Sequence, residues 1–320
     1  MAFKKILFIP TSNTLEQAGA RRLLELASPD SEVEVFEPVY NAYLEAYPIS
    51  EEETYQRLRD ELVGERMKKA ESLARAFGTK GIKASAAASW DYPLYEAVVR
   101  RVLKTEADLV VTEPLEGRAG SLSHSDWRLI SVCPAAALIV KTNLIKGYEN
   151  IVAAVDPFHA HAKPSELDDE ILEQAKAVQA RTHGRLTVLH CFVPLVYMAG
   201  EAGAEHLPLD DAERALEAFR RDAVSELVTK AGLDEGQAKL VQGRPDEILQ
   251  GMADRGEMDL LVMGGLSRGR FRDFILGSTA ERILTHAQLD VLIVKPPGFH
   301  STVSGQMSEE LLLNPIYYPF

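Results

Sequence analysis

The residues best suited to chemistry lie in one glycine- and serine-rich stretch at residues 263–281. It reads Met-Gly-Gly-Leu-Ser-Arg-Gly-Arg-Phe-Arg-Asp-Phe-Ile-Leu-Gly-Ser-Thr-Ala-Glu. Glycines let backbone N–H groups approach an anion closely, because no side chain stands in the way. Arg268, Arg270 and Arg272 add positive charge to the same stretch. The pattern indicates a loop that binds phosphate.

Two elements must position this loop. The segment Asp259 to Met263 before it, an apolar run after one acid, predicts a buried strand. Ser278 and Glu281 after it form a capping box, which predicts the start of a helix. A helix N-terminus carries free amides and the positive end of the helix dipole, so it attracts anions. Taken alone, Ser278 could equally serve only as a helix cap.

Composition bounds the function classes. The chain has 320 residues, 46% of them hydrophobic, and a formal net charge of -13, which predicts two well-buried domains and no broad nucleic-acid or membrane-surface footprint. Cys133 and Cys191 are far apart in apolar contexts, so we expect buried thiols in a reducing cytoplasm. No apolar run has the length of a signal segment or of a membrane span.

The chain repeats itself with a period of about 150 residues, which predicts duplicated domains. Three apolar segments recur in order, at 4–10 and 149–155, 107–111 and 258–262, and 137–141 and 291–295. Pro93 and Pro245 each begin a helix before the second of these segments. Strands are expected near residues 5–10, 33–37, 82–87, 108–112, 136–141, 150–155, 185–192, 237–242, 259–263 and 290–295.

Strands that alternate with helices predict parallel sheets covered on both faces. Long helices are expected at residues 50–77, begun by a capping box at Ser50, and at 210–231. We expect domains at residues 1–145 and 146–298 and a C-terminal tail at 299–320. That tail ends in Asn-Pro-Ile-Tyr-Tyr-Pro-Phe; whether it docks on the body or extends freely stays open.

Gly264, Ser267 and the pair Gly277-Ser278 resemble the nucleotide loop of universal stress proteins. That loop has glycine, two residues, glycine, nine residues, glycine, and then serine, threonine or asparagine; Ser267 here replaces the second glycine. Residues 125–134, Ser-Asp-Trp-Arg-Leu-Ile-Ser-Val-Cys-Pro, resemble the degenerate half of the UspE-type subfamily. The resemblance covers residues 3–296 and is to the tandem type, with two such domains in one chain.

The resemblance implies two flavodoxin-like or Rossmann-like α/β domains packed as a pseudo-dimer through their last strands. Each would have a five-stranded parallel sheet of order 3-2-1-4-5 with helices on both faces, and open sheets of this kind bind ligands where the strand order reverses. Asp156 would then face adenine and ribose, Cys191 would offer backbone groups to the base, and Gly243 and Pro245 would border the pocket. The residues implied around ribose and phosphates are Gly264, Gly265, Ser267, Arg268, Gly277, Ser278 and Thr279.

The first half departs from this pattern. Thr11 stands at the place of Asp156, Glu113 replaces Gly264, and Ser123-His124 falls at Gly277-Ser278. Because a carboxylate at Glu113 would repel phosphate, we expect no nucleotide in the first half. The expected ligand is ATP or another adenine nucleotide, with or without Mg²⁺, in the second half only.

Other chemistry finds little support in the sequence. His159 and His161 are one residue apart without a second ligand cluster, so we expect solvated histidines and no metal site. No phosphate-binding lysine loop is present, so at most slow ATP hydrolysis is expected. The predicted function is a stress-linked nucleotide sensor or regulator. The alternatives are a nucleotide-free scaffold for protein partners and a binder of another small metabolite; a homodimer stays open.

Overall fold

The structure is a computed structural model, and its described residues are 3–46, 52–114, 122–143, 146–158, 166–197, 209–265 and 278–305. The chain divides into two compact units. The first unit contains the residues up to Asn143 together with the segment that begins at Phe299, and the second contains residues 144–298. Both units are built from alternating strands and helices.

The described elements of the first unit alternate almost strictly. They are β1 Lys5–Ile9, α1 Ala18–Leu26, β2 Glu32–Val39, α2 Ala42–Ala46, α3 Glu52–Gly78, β3 Lys83–Trp90, α4 Leu94–Thr105, β4 Leu109–Thr112, α5 His124–Val132 and β5 Ala136–Ile139. The strand order is β3-β2-β1-β4-β5, with parallel pairing. This is the expected order 3-2-1-4-5.

The described elements of the second unit repeat this plan. They are β6 Asn150–Ala154, α6 Glu166–Thr182, β7 Arg185–Phe192, α7 Asp210–Lys230, β8 Ala238–Gln242, α8 Pro245–Asp254, β9 Leu260–Gly264, α9 Ser278–His286 and β10 Asp290–Val294. The order β8-β7-β6-β9-β10 is again 3-2-1-4-5, with parallel pairs. The predicted fold class is therefore confirmed in both units.

Side-chain alternation explains why both faces of the first sheet are covered. On β1, Leu7 and Ile9 join an apolar cluster with residues of α4 and α5. Phe8 points to the opposite face, where its ring meets Phe77 of α3 edge-on at 5.7 Å. Successive strand residues face opposite sides, so one short apolar strand serves two helical layers.

One repeated carboxylate fixes each central strand pair. Asp108, just before β4, accepts a hydrogen bond of 2.9 Å from the backbone N–H of Lys4. Asp259, just before β9, accepts one of 2.8 Å from the backbone N–H of Asn150. The matching acids found in the sequence repeat thus have matching structural roles.

The largest difference from the predicted strands is at β3, which runs to Trp90, three residues beyond the expected end. Its alanine-rich end has low strand propensity, but it pairs with β2 along the whole length, up to Trp90 opposite Val39, and tertiary pairing overrides local preference. Pro245 is the first residue of α8, as predicted. Pro93 lies one position earlier, because it precedes the first residue of α4.

Some expectations fall outside the described residues, namely the capping box at Ser50 and the tail beyond Gly305. The described part of the tail docks on the first unit, since Val303 packs against the apolar cluster that contains Leu7 and Ile9. None of the helices in the described ranges is both long and apolar enough to cross a bilayer.

Candidate functional site

Asp156 and two glycines lie at the carboxyl ends of neighbouring strands. Asp156 follows β6, Gly264 ends β9 and Gly265 comes next. These strands pair in parallel, with Ala154 opposite Met263. The chain adds β7 and β8 on one side of this pair and β10 on the other, so the pair is the switch point at which open sheets bind ligands. The structure therefore brings Asp156 and Gly264 to one sheet edge.

The two glycines also have structural roles that the sequence did not reveal. A Cβ atom on Gly264 would lie 2.7 Å from Cδ2 of Leu167, which is fully buried in α6. The Gly265 N–H donates a hydrogen bond of 3.1 Å to the Val294 carbonyl of β10. The neighbouring strand therefore already binds the Gly265 amide, and a role for Gly265 around ribose and phosphates stays a prediction.

The first unit solves the same contact in the opposite way. Glu113, at the position of Gly264, accepts a hydrogen bond of 3.0 Å from the backbone N–H of Gly19. Gly19 is the second residue of α1, just as Leu167 is the second residue of α6. A large residue directly after β4 thus meets a glycine on the helix in the first unit, and a large helix residue meets the last glycine of β9 in the second. The Glu113 carboxylate also supplies an internal anion at the start of α1.

The loop after β1 is closed by one side chain. The Gln17 side-chain carbonyl accepts hydrogen bonds from the backbone N–H groups of Thr11 and Ser12, at 3.0 and 3.2 Å. The Gln17 amide group donates to the carbonyls of Ser12 and Thr14, at 2.7 and 2.8 Å. In the first unit, therefore, backbone groups next to Thr11 are bound by the protein itself.

In the second unit the corresponding loop is held by a carboxylate. The half-buried Asp156 donates its backbone N–H to Oδ1 of Asp168 at 3.2 Å, and Asp168 is only 1% exposed. Nearby, Nδ1 of the buried His190 lies 3.1 Å from the Val155 carbonyl. A carbonyl only accepts, so Nδ1 carries the proton. Burial has the largest effect and lowers the pKa of His190 below its ordinary value. The hydrogen bond to Val155 and the negative charges of Asp156 and Asp168 oppose this shift only in part.

A group of aromatic rings near Asp156 was not predicted from the sequence. The Phe158 ring lies 5.4 Å from the rings of both His190 and Phe219, and Phe219 is 60% exposed. Two features of the sequence could have indicated this cluster. Phe158 follows Asp156 by two residues, and the alternation along β7 places the His190 side chain on the same face of the sheet as that of Val188. The cluster gives this sheet edge an apolar side next to its carboxylates.

The two predicted cysteines differ in burial. Cys133 is fully buried, as expected, but Cys191 is only half-buried. Cys191 lies in β7 opposite Val241 of β8, close to the carboxyl end of both strands. Burial nevertheless raises the pKa of Cys191 to about 12, against the smaller opposing effect of Lys239. Its thiol is therefore protonated near neutral pH.

Gly243 closes the turn between β8 and α8 in a conformation that requires glycine. Its φ is +142°, and a Cβ atom there would lie 2.9 Å from Cδ1 of Ile248. Its N–H donates to the Phe192 carbonyl at 2.8 Å, and Pro245 then begins α8. Gly243 and Pro245 thus follow β8 at the same sheet edge as Cys191.

Helix α9, which begins at Ser278, is tied to α8 by charge. Asp246 of α8 accepts hydrogen bonds from Arg282 of α9 and from Arg244. Burial alone would raise the pKa of Asp246, but these bonds outweigh it and hold the pKa below its ordinary value. Thr279, half-buried, is the second residue of α9. The pairing fixes the helix whose N-terminus is predicted to attract phosphate.

Several predicted residues lie outside the described part of the chain. They are Ser267, Arg268, Arg270, Arg272, Gly277, the Ser278 side chain, His159 and His161. Among the residues that the structure describes, no group of three or more His, Cys, Asp or Glu is arranged to hold a metal ion.

Comparison with known proteins agrees with this architecture. The model of the universal stress protein family matches residues 147–295. Universal stress protein E of Escherichia coli strain K12 is 24% identical over 322 residues, which cover 96% of this chain and 99% of that protein. A universal stress protein of Thermus aquaticus is 34% identical over 122 residues, which cover 38% of this chain and 85% of that protein.

Solved structures show the same fold. A functionally unknown protein from Pseudomonas aeruginosa matches with a TM-score of 0.67 at 20% identity, covering 92% of this chain and 93% of that one. A universal stress protein from Archaeoglobus fulgidus matches with a TM-score of 0.52 at 16% identity, covering 91% and 98%. The similarity to universal stress protein E extends over both halves, and the predicted resemblance is confirmed: the chain belongs to the universal stress protein family.

Proposed function

We propose that the second unit binds an adenine nucleotide at the carboxyl ends of β6 and β9, and that the protein is a nucleotide-linked sensor or regulator in stress responses. Asp156 would accept hydrogen bonds from ribose hydroxyls or the adenine amino group. The N-terminus of α9 at Ser278 would attract the phosphates. The free thiols of Cys133 and Cys191 suit a reducing cytoplasm.

The observation that carries this proposal is the difference between the halves at equivalent positions. In the first unit, Gln17 binds the loop at Thr11, and the Glu113 carboxylate occupies the amide of Gly19. A second anion beside Glu113 would be repelled. In the second unit Asp168 likewise binds the backbone N–H of Asp156, but Gly264 places no carboxylate at the position of Glu113, and Asp156 and Gly264 lie at the switch point of the sheet. The difference supports one nucleotide site per chain.

The aromatic cluster gives the proposed site a place for the base. Phe158 follows Asp156 by two residues and contacts His190 and Phe219. Since His190 is buried and its pKa is lowered, it adds a neutral ring to this wall at physiological pH. A planar base gains from stacking on such rings, while the ribose stays within reach of the Asp156 carboxylate.

A specific observation also favours the scaffold alternative. The contact with Leu167 explains glycine at position 264, and the bond to Val294 uses the amide of Gly265. These two glycines would therefore be retained even without a ligand. Under this alternative the protein binds no nucleotide and presents its surfaces to protein partners, or it holds another small metabolite at the same edge.

Calorimetric titration with ATP, ADP and AMP separates these functions. The nucleotide proposal predicts saturable binding that Asp156→Ala weakens by about tenfold or more, the value of one lost charged hydrogen bond. Gly277→Glu should abolish phosphate binding, because it adds a carboxylate to the predicted loop. Thr11→Ala is the matched control at the equivalent position of the first unit and should leave binding unchanged. If no nucleotide binds at millimolar concentration, the scaffold function remains.

A further inference from the structure

An open groove lies between α2 and α3 of the first unit. Its volume is about 410 Å³, which is within the range of sites that take a ligand or a few side chains. It is lined by Asn41, Tyr43, Leu44, Leu58, Glu61, Leu62 and Glu65. Apolar residues form the groove, and two carboxylates stand along one wall.

The wall made by α2 is fixed in place. The Asn41 side-chain carbonyl accepts hydrogen bonds from the backbone N–H groups of Tyr43 and Leu44, at 3.0 and 3.1 Å, and so caps this short helix. The Glu45 carboxylate accepts hydrogen bonds from the Tyr55 hydroxyl of α3 at 2.6 Å and from Nε1 of Trp90 at 3.0 Å. The groove is therefore preformed, which lowers the entropy lost on binding.

Exposed apolar side chains stand at the groove. Tyr43 is 73% exposed and Leu58 is 36% exposed, although Glu45 on the same short helix is bonded to the body of the unit. Leu58 and Leu62 are one helical turn apart on α3, so they line the groove on one face. Exposed apolar side chains that line one concave surface mark binding sites more often than scattered ones do.

The charged residues at the groove indicate which kind of partner it can bind. Glu61 and Glu65 are also one turn apart, about 5–6 Å between Cβ atoms, and both are exposed. None of the described side chains that line the groove is basic. Two nearby arginines of α3 face other groups, because Arg59 lies 5.7 Å above the Trp90 ring and Arg66 pairs with Glu37 at 3.3 Å. The groove thus has an apolar wall and a negative edge.

We propose that this groove binds an amphipathic helix of a partner protein, with apolar side chains on one face and Lys or Arg one turn apart beside them. A helix lying along α3 would bury its apolar face against Tyr43, Leu58 and Leu62. Its basic residues would repeat with the spacing of Glu61 and Glu65. The chain's own tail matches less well, since Glu309 and Glu310 precede its apolar residues. The proposal does not depend on nucleotide binding by the second unit.

Fluorescence anisotropy of labelled probe peptides with the full chain tests the proposal. One probe carries a helical leucine stripe with lysines at all other positions, the second replaces lysine by glutamate, and the third scrambles the lysine probe. We expect saturable binding of the lysine probe only. Glu61→Lys/Glu65→Lys should weaken it by about tenfold or more. Glu16→Lys/Asp30→Lys makes the same change in net charge at exposed sites outside the groove and should change binding of the lysine probe by less than about twofold.

Tyr43→Ala/Leu58→Ala tests the apolar wall, and circular dichroism of this variant checks that the fold is retained. A loss of binding with an unchanged spectrum supports the proposal. Equal binding of the scrambled probe, or equal weakening by both charge variants, would overturn it. So would lysine-probe binding that appears only after residues 306–320 are removed, because the tail would then be the occupant. If the wild-type chain forms dimers and the Glu61→Lys/Glu65→Lys variant is monomeric, the groove binds a second copy of the chain, and the proposal is overturned.

Discussion

Gly264→Ala should destabilise the second unit through one contact. The new Cβ atom would lie 2.7 Å from Cδ2 of Leu167, whereas carbon atoms pack at about 3.5–4.0 Å, so the leucine must move by about 1 Å. Leu167 is fully buried, and overpacking of this kind costs about 1–3 kcal/mol. The φ of Gly264 is one that residues with side chains adopt without strain. Alanine therefore offsets about 0.4–1 kcal/mol of this loss, because it lowers the conformational entropy of the unfolded chain. The expected net loss is about 1–2 kcal/mol.

A double-mutant cycle with Leu167→Ala isolates this contact. Leu167→Ala alone should cost about 2–5 kcal/mol because it opens a cavity, but in that background Gly264→Ala should be neutral or stabilising. Urea unfolding followed by far-UV circular dichroism gives the four free energies. Both tryptophans, Trp90 and Trp127, lie in the first unit, so fluorescence of the same samples is an internal control. A coupling energy within about 0.5 kcal/mol of zero would refute the packing explanation for this glycine.

Three further changes test other parts of the structure. Gly243→Ala should lower the free energy of unfolding by about 1–3 kcal/mol because of its positive φ, whereas Gly236→Ala, with open space around it, should have little effect; equal urea midpoints would contradict this. The lowered pKa of Asp246 stabilises the fold above the unfolded pKa of about 3.9 and stops doing so as pH falls through the folded value. Asp246→Asn should therefore flatten the loss of stability below about pH 4, and parallel curves for variant and wild type would exclude this role. With its pKa raised to about 12, Cys191 should react with iodoacetamide at pH 8 roughly a thousandfold more slowly than a free thiol, as mass spectrometry can follow; a rate within about tenfold of free cysteine would count against its burial.

The strands could be predicted because their signal is local. Mostly apolar segments such as residues 258–262 and 291–295 stand out from polar surroundings, and the repeat assigned each an equivalent in the other half. The end of β3 was misplaced because its alanines are held in the sheet by pairing with β2, which no local pattern encodes. Helix α2 was not predicted at all, although Asn41 is a suitable cap.

The site was less predictable because its contacts join residues distant in sequence. Glycine at position 264 suggested a phosphate, yet the structure shows Leu167 of another element against it. The pairs Glu113–Gly19 and Gly264–Leu167 place the large residue and the glycine on opposite partners in the two units. This difference becomes visible only when the contacts between the sheet and the helices are known. A glycine pattern indicates close approach of some group, and only the fold tells whether that group is a ligand or a side chain.

The number of nucleotides bound per chain tests the central claim most directly. Equilibrium dialysis of the full chain against ATP, ADP or AMP should give one bound nucleotide per chain. Asp156→Ala should reduce this binding, and Thr11→Ala should leave it intact. Two nucleotides per chain would contradict the account of the first unit, and none at millimolar concentration would contradict the account of the second.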